Sequence, residues 1–296
     1  MPGGWVRISI FIDSNMANPE IAAIIYGLVS AASWGSGDFT GGFATKSSSV
    51  AGVLLIGYCV SVVLLSASAL WLGSAAPDMN SMAAGAMAGV TGLIGLAALY
   101  KGLAGGQMGI VAPLAAVTTA TLPVFWGIYL EGYPSGWQIM GFLAAFAAIW
   151  LLSRPENSQE IQLRWVGLPI TAGIFLGLSM IFIDQAAEQS VLWSLVITRF
   201  SGIVILIAVI FLFRKGALPL KHNYPVVCLS GIFDTGGYTF YAFAANSGRL
   251  DTAAVLASMY PATTVMLAWL LLKERLAGRQ WLGVVAALTA IFLIAA

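Results

Sequence analysis

The sequence predicts an all-α integral membrane protein, with ten transmembrane helices arranged as two inverted five-helix repeats. Three observations lead there. Hydrophobic residues make up 59% of the 296-residue chain and charged residues 8%, against about 25% charged in a soluble domain; the mean hydropathy is +0.91. Apolar stretches of about 20 residues recur, each long enough to cross a hydrocarbon core of about 30 Å. The second half also repeats the first at a fixed offset.

Glycine, proline and charge breaks place the spans near residues 20–44, 50–72, 82–103, 109–130 and 136–153. A second set lies near 165–186, 191–213, 224–245, 252–272 and 279–295. Asn18 and Pro19 supply an N-cap and a first-turn proline for the first helix. Residues 1–19 stand apart as an N-terminal extension. "MPGGWVRISIFIDSN" has a short apolar patch but no small-residue cleavage site, and Met16 follows it at once. "SRPENSQEIQLR" is the most polar stretch and reads as a linker. The domains are then a first repeat at 20–153, a linker at 154–164 and a second repeat at 165–296. Pro113, Pro123 and Pro261 each remove a helix hydrogen bond, and are expected to interrupt the fourth and ninth helices.

Sliding residues 89–144 onto 231–286 without gaps matches Gly89 with Gly231, Gly95 with Gly237 and Gly106 with Gly248. It also matches Ala120 and Thr121 with Ala262 and Thr263, then Gly136, Gln138 and Gly141 with Gly278, Gln280 and Gly283. Leucine and alanine coincidences mean little in so apolar a chain, but coincident glycines and a glutamine do. The first two helices of each half align only loosely, through Gly27 with Gly167 and Gly37 with Gly177. A unit of five spans is odd, so the second copy enters the membrane from the opposite side. Inverted pairs of this kind are the architecture of many secondary transporters, with sites near the midplane and alternating access.

Net charge is +1, which points to no nucleic acid or other polyanionic partner. Cys59 and Cys228 fall inside apolar segments and read as small core residues. The single histidine, His222, sits beside Lys221 with no Cys/His cluster, so no metal or other cofactor is expected. No nucleophile–base pair is visible and the loops are short, so an enzyme is not expected.

Polar residues inside the spans are the candidate site. A carboxylate at the centre of a membrane helix costs roughly 2.5–3.5 kcal/mol on insertion scales, yet "GIFDTGGYTFY" holds Asp234 near the middle of the eighth helix. Gly231, Asp234, Tyr238 and Tyr241 form a stripe at helical spacing. On the first helix Trp34 and Asp38 lie one turn apart on a face of small residues. Arg199, in the seventh helix, must pair or snorkel: it neutralises a carboxylate or holds a substrate carboxylate. "MYPATT" puts Tyr260 near midspan beside Pro261. The candidate substrate-binding residues are therefore Trp34, Asp38, Arg199, Asp234, Tyr238 and Tyr260, with Asp234 the candidate proton-coupling group. Its counterpart in the repeat is Gly92, so the five-helix unit does not itself demand a carboxylate there. Asp234→Asn and Asp234→Leu are both expected to fold.

Three segments carry a family resemblance: "SWGSGDFTGGFATK" in the first helix, "YKGLAGGQMGIVAPLAAV" joining the third and fourth, and "AANSGRLDTAAVLASMYPATTVMLAWLLLKERLAGRQWLG", which includes Glu274. The chain resembles the drug/metabolite transporter superfamily, specifically its ten-helix EamA-type members, over residues 20–296. The resemblance implies import or export of small metabolites through a central cavity lined by both repeats. The expected partners are a small-molecule metabolite, amino acids or related amphiphilic solutes first, the lipid bilayer, and protons as coupling ion. The expected location is the bacterial inner membrane. An uncoupled facilitator is the alternative.

Basic residues set an orientation. Lys46, Lys101, Arg154, Arg164, Arg214, Lys215, Lys221, Lys273, Arg275 and Arg279 fall in odd-numbered loops, and only Arg7 and Arg249 on the other side. The positive-inside rule puts the odd loops in the cytoplasm and both termini outside.

Overall fold

The computed structural model describes residues 19–45, 47–104, 108–153, 167–213, 219, 223–272 and 278–295. These form eleven helical segments: α1 (Pro19–Thr45), α2 (Val50–Trp71), α3 (Met79–Ala104), α4 (Met108–Glu131), α5 (Gly136–Ser153), α6 (Gly167–Ala187), α7 (Val191–Phe213), α8 (Tyr224–Ser247), α9 (Leu250–Ala257), α10 (Tyr260–Leu272) and α11 (Gly278–Ala295). The extension up to Asn18, the linker 154–164, His222, Glu274 and most of the basic loop residues lie outside the described residues.

Helix ends follow local chemistry. Ser49 caps α2 by accepting from Gly52 N. Asp78 caps α3 through Ser81 N at 2.8 Å, and that bond holds its carboxyl below the usual range. Ser135 and Gln138 cap α5 reciprocally, each side chain accepting from the other's backbone N–H. The ninth span is broken into α9 and α10, as Pro261 suggested. Ser258 N donates to Ala254 O and Met259 N to Leu256 O, closing α9 with a tighter turn. Pro261 is then the second residue of α10, where its missing N–H would be unpaired anyway. The expectation for the fourth span is corrected: α4 runs unbroken through Pro113 and Pro123, so each proline there removes a bond without ending the helix.

Among the described residues, five helices are both long and apolar enough to cross a membrane: Val50–Trp71, Met79–Leu103, Leu114–Glu131, Gly167–Ala187 and Val191–Leu212. At 27 and 24 residues, α1 and α8 are also long enough. They are less apolar because they carry the serines, glycines and aspartates, and they are packed against each other inside the bundle.

Small residues set that packing, as they do where helices approach closely in lipid. Ser30 Oγ donates to Gly237 O (2.8 Å) and Ser230 Oγ to Gly37 O (3.0 Å), stitching α1 to α8. A Cβ on Gly231 would stand 2.8 Å from Gly57 Cα, so α2 and α8 meet backbone to backbone. Ser179 Oγ donates to Ala88 O (2.9 Å), joining α6 to α3. Large apolar side chains such as Phe43, Leu70, Phe125 and Phe211 face outward. So does Cys59, which corrects its reading as a core residue; Cys228 is partly exposed, and both are free thiols.

The neighbours have an internal symmetry. α1 packs on α8 and α6 on α3; α1 packs on α9 and α10, and α6 on α4. α2 packs on α7 and α8, α7 on α3, and α5 on α11. Counting α9 and α10 as one span, exchanging each span for the one five later turns this set into itself. Single contacts agree. Gly95 faces Leu176 and Gly237 faces Trp34; 237 minus 95 and 176 minus 34 both give 142. Gly35 and Gly177 pack in a similar way but one residue off that offset, Gly35 against Tyr260 O and Thr263 and Gly177 against Thr119 O and Leu122. The offset of 142 read from the later helices thus extends to α1 and α6, shifting the sequence pairing of Gly37 with Gly177 by two residues. By that offset Gly35 stands at the position of Gly177, and Gly37 at that of Ser179.

Candidate central cavity

A cavity at the middle of the bundle is lined by Trp34 and Asp38 of α1, Leu96 and Leu99 of α3, Thr119 of α4, and Leu176, Ser179 and Met180 of α6. Asp234 and Tyr238 of α8 and Tyr260 of α10 complete it. It is small, with room for about three waters.

Five of the six candidate residues line it; Arg199 does not. Arg199 lies behind Asp234, 1% exposed, with Nη2 2.7 Å from Asp234 Oδ2. Its guanidinium carbon sits 3.8 Å from the Tyr238 ring centroid and 4.7 Å from that of Tyr58. Two aromatic faces and one carboxylate therefore hold the charge that the sequence left unaccounted for. Asp234 keeps 15% of its side chain exposed, so it bridges the buried arginine and the cavity. Trp34 meets Tyr238 edge to face at 5.1 Å and Tyr241 at 5.7 Å. Tyr241 is fully buried, its hydroxyl donating to Met180 O, and stands outside the cavity lining.

Asp38 differs from Asp234. Among the described residues no hydrogen bond or ion pair reaches its carboxylate, and it is close enough to Asp234 for the two to repel. The hydroxyls of Thr119 and Tyr260 are buried at the cavity and have no partner among the described residues. No group of three or more His, Cys, Asp or Glu side chains able to hold a metal gathers among the described residues.

The lining is chemically two-sided. α1, α8 and α10 supply the acids and aromatics, while α3 and α6 supply Leu96, Leu99, Leu176 and Met180. Sequence reasoning missed that second wall, although the repeat held the signal. Adding 142 to Trp34 and Asp38 gives Leu176 and Met180; subtracting it from Tyr238 gives Leu96.

A second charged cluster sits where α8 turns into α9. Arg249 binds Asp251 through Nε and Nη2 (3.1 and 2.8 Å), donates to Gly132 O at 2.8 Å, and lies 3.7 Å from Glu131. Glu131 accepts from Leu250 N. The bonded Asp251 carboxylate holds the Arg249 guanidinium above its ordinary pKa.

Helices long and apolar enough to cross a membrane, stacked around a mostly apolar cavity that holds two acids, are the make-up of a multi-pass membrane protein. Residues 163–296 match the EamA-like transporter family, so the second half of the chain is similar to the family that the sequence motifs resemble, within the drug/metabolite transporter superfamily. The family points to a membrane transporter. An uncharacterized protein of Methanocaldococcus jannaschii is 23% identical over 127 residues, 43% of this chain and 93% of that protein. A solved crystal structure has a TM-score of 0.75 at 14% identity, covering 92% of this chain and 95% of its own. That likeness speaks for the fold alone.

Proposed function

We propose that the protein is a secondary transporter of small amphiphilic organic metabolites, the class that includes amino acids. It works by alternating access between two inverted five-helix repeats of a ten-span bundle in the bacterial inner membrane. The observation that carries this reading is the cavity: its walls come from corresponding positions of the two halves, Trp34 with Leu176, Asp38 with Met180 and Tyr238 with Leu96. A site on such an axis can be exposed to either side by exchanging the two halves' conformations. Support for the duplication comes also from the archaeal relative, which is matched over nearly its whole length by less than half of this chain.

Protons couple through Asp234, which faces both Arg199 and the cavity. Taking up a proton there breaks an ion pair and frees a guanidinium, an event large enough to bias two conformations. Counterflow of radiolabelled solutes in proteoliposomes tests the transporter reading, and Asp234→Asn should lose the pH dependence of uptake. No transported solute in a broad panel refutes the first part. A wild-type rate and pH profile in Asp234→Asn refutes the second.

A further inference from the structure

We propose that the solute is an organic cation with a small apolar body and no carboxylate, its ammonium held by Asp38; this rests on the transporter reading and narrows its substrate class. Two charged groups line the cavity among the described residues, Asp38 and Asp234, and a third, Arg199, lies behind Asp234. Arg199 and Asp234 compensate each other at 2.7 Å, and Arg199 is enclosed by Tyr58 and Tyr238. With Asp38 ionised the set carries one uncompensated negative charge in a low-dielectric enclosure, and that charge calls for a cation.

The surroundings fit an amine. Trp34 stands one turn from Asp38 and, with Tyr238 and Tyr260, presents aromatic surface to a positive group. The unpartnered hydroxyls of Thr119 and Tyr260 can accept the remaining ammonium protons. Among the described residues a carboxylate meets no cation in the cavity lining, since the Arg199 guanidinium lies behind Asp234 and is paired with it. The opposite wall of leucines and Met180 takes the apolar body, as amphiphilic ligands require. The cavity is small, with room for about three waters, which favours a small body such as one ring or a short alkyl chain.

The test uses three compounds with the same phenyl body: 2-phenylethylammonium, L-phenylalanine and 3-phenylpropionate. Binding to the purified full chain in nanodiscs is read by quenching of tryptophan fluorescence and by radioligand competition. The amine should bind at least tenfold more tightly than the zwitterion, and the anion not at all. Asp38→Asn should weaken the amine at least tenfold while leaving thermal stability near wild type, and Asp38→Glu should restore part of the loss. The ranking of the three compounds on unmodified protein needs no variant. Absence of amine binding, preference for either carboxylate compound, or unchanged amine affinity in Asp38→Asn overturns the proposal. Asp38-dependent amine binding without counterflow would instead sink the transporter reading and leave the site standing.

Discussion

At the scale of single residues, Arg199 and Asp234 decide more than any other pair. Sequence placed both inside the membrane and noted that the arginine needs a partner; their 2.7 Å contact joins two helices that no local pattern links. The pairing changes what substitution should do. An apolar residue at 234 removes an insertion cost, but it also strands a guanidinium that is 1% exposed. Breaking a buried pair from one side costs about 3–5 kcal/mol. Asp234→Leu and Arg199→Leu should therefore each lower the melting temperature and the yield of monodisperse protein, while the double Leu variant recovers much of both. Equal stability of the single and double variants would show that Arg199 finds another partner. Asp38 gives the contrast: with no bonded partner to strand, its Asn variant should melt near wild type.

Helices show where the sequence was legible and where it was not. Boundaries of nine spans fall within three residues of those read from apolar length and capping, because a bilayer fixes length and breakers mark the ends. The inner α1 and α8 are the least apolar of the long helices, so composition alone ranks them poorly; glycine, proline and charge breaks marked them as spans. Gly35 and Gly37 both offer a match to Gly177, and the contacts of Gly95 with Leu176 and of Gly237 with Trp34 favour Gly35. Glycines at these seams give an element-scale prediction. Gly231→Ala places a methyl 2.8 Å from the Gly57 backbone, which cannot give way as a side chain would, so α2 and α8 must separate. Overpacking of this kind typically costs about 1–3 kcal/mol. Gly42→Ala meets nothing within 4 Å and should be neutral or stabilising, since it removes backbone freedom from the unfolded chain. Thermal melts of the two variants separate a packing seam from a merely glycine-rich sequence.

For the whole molecule the open question is which way it sits in the membrane, and the Arg249 cluster sharpens the prediction. Only Arg7 and Arg249 oppose the basic bias of the odd-numbered loops. Arg249 has a local reason to be where it is: it is bound to Asp251, Glu131 and the Gly132 carbonyl, and two carboxylates offset its charge. A neutralised arginine should contribute little to topology, which leaves Arg7 as the only dissenting charge. Both termini and the loop between α4 and α5 are then expected outside, with the 154–164 linker in the cytoplasm. Tyr133, in the α4–α5 loop, is 86% exposed and suits a reporter. With Cys59 and Cys228 replaced by serine, a Tyr133→Cys variant should react with a membrane-impermeant thiol reagent in intact cells. A Gln159→Cys variant should react only after the membrane is opened. The reverse pattern would invert the orientation, put the Arg249 cluster on the cytoplasmic face, and mean that the ten loop charges do not set the topology of this chain.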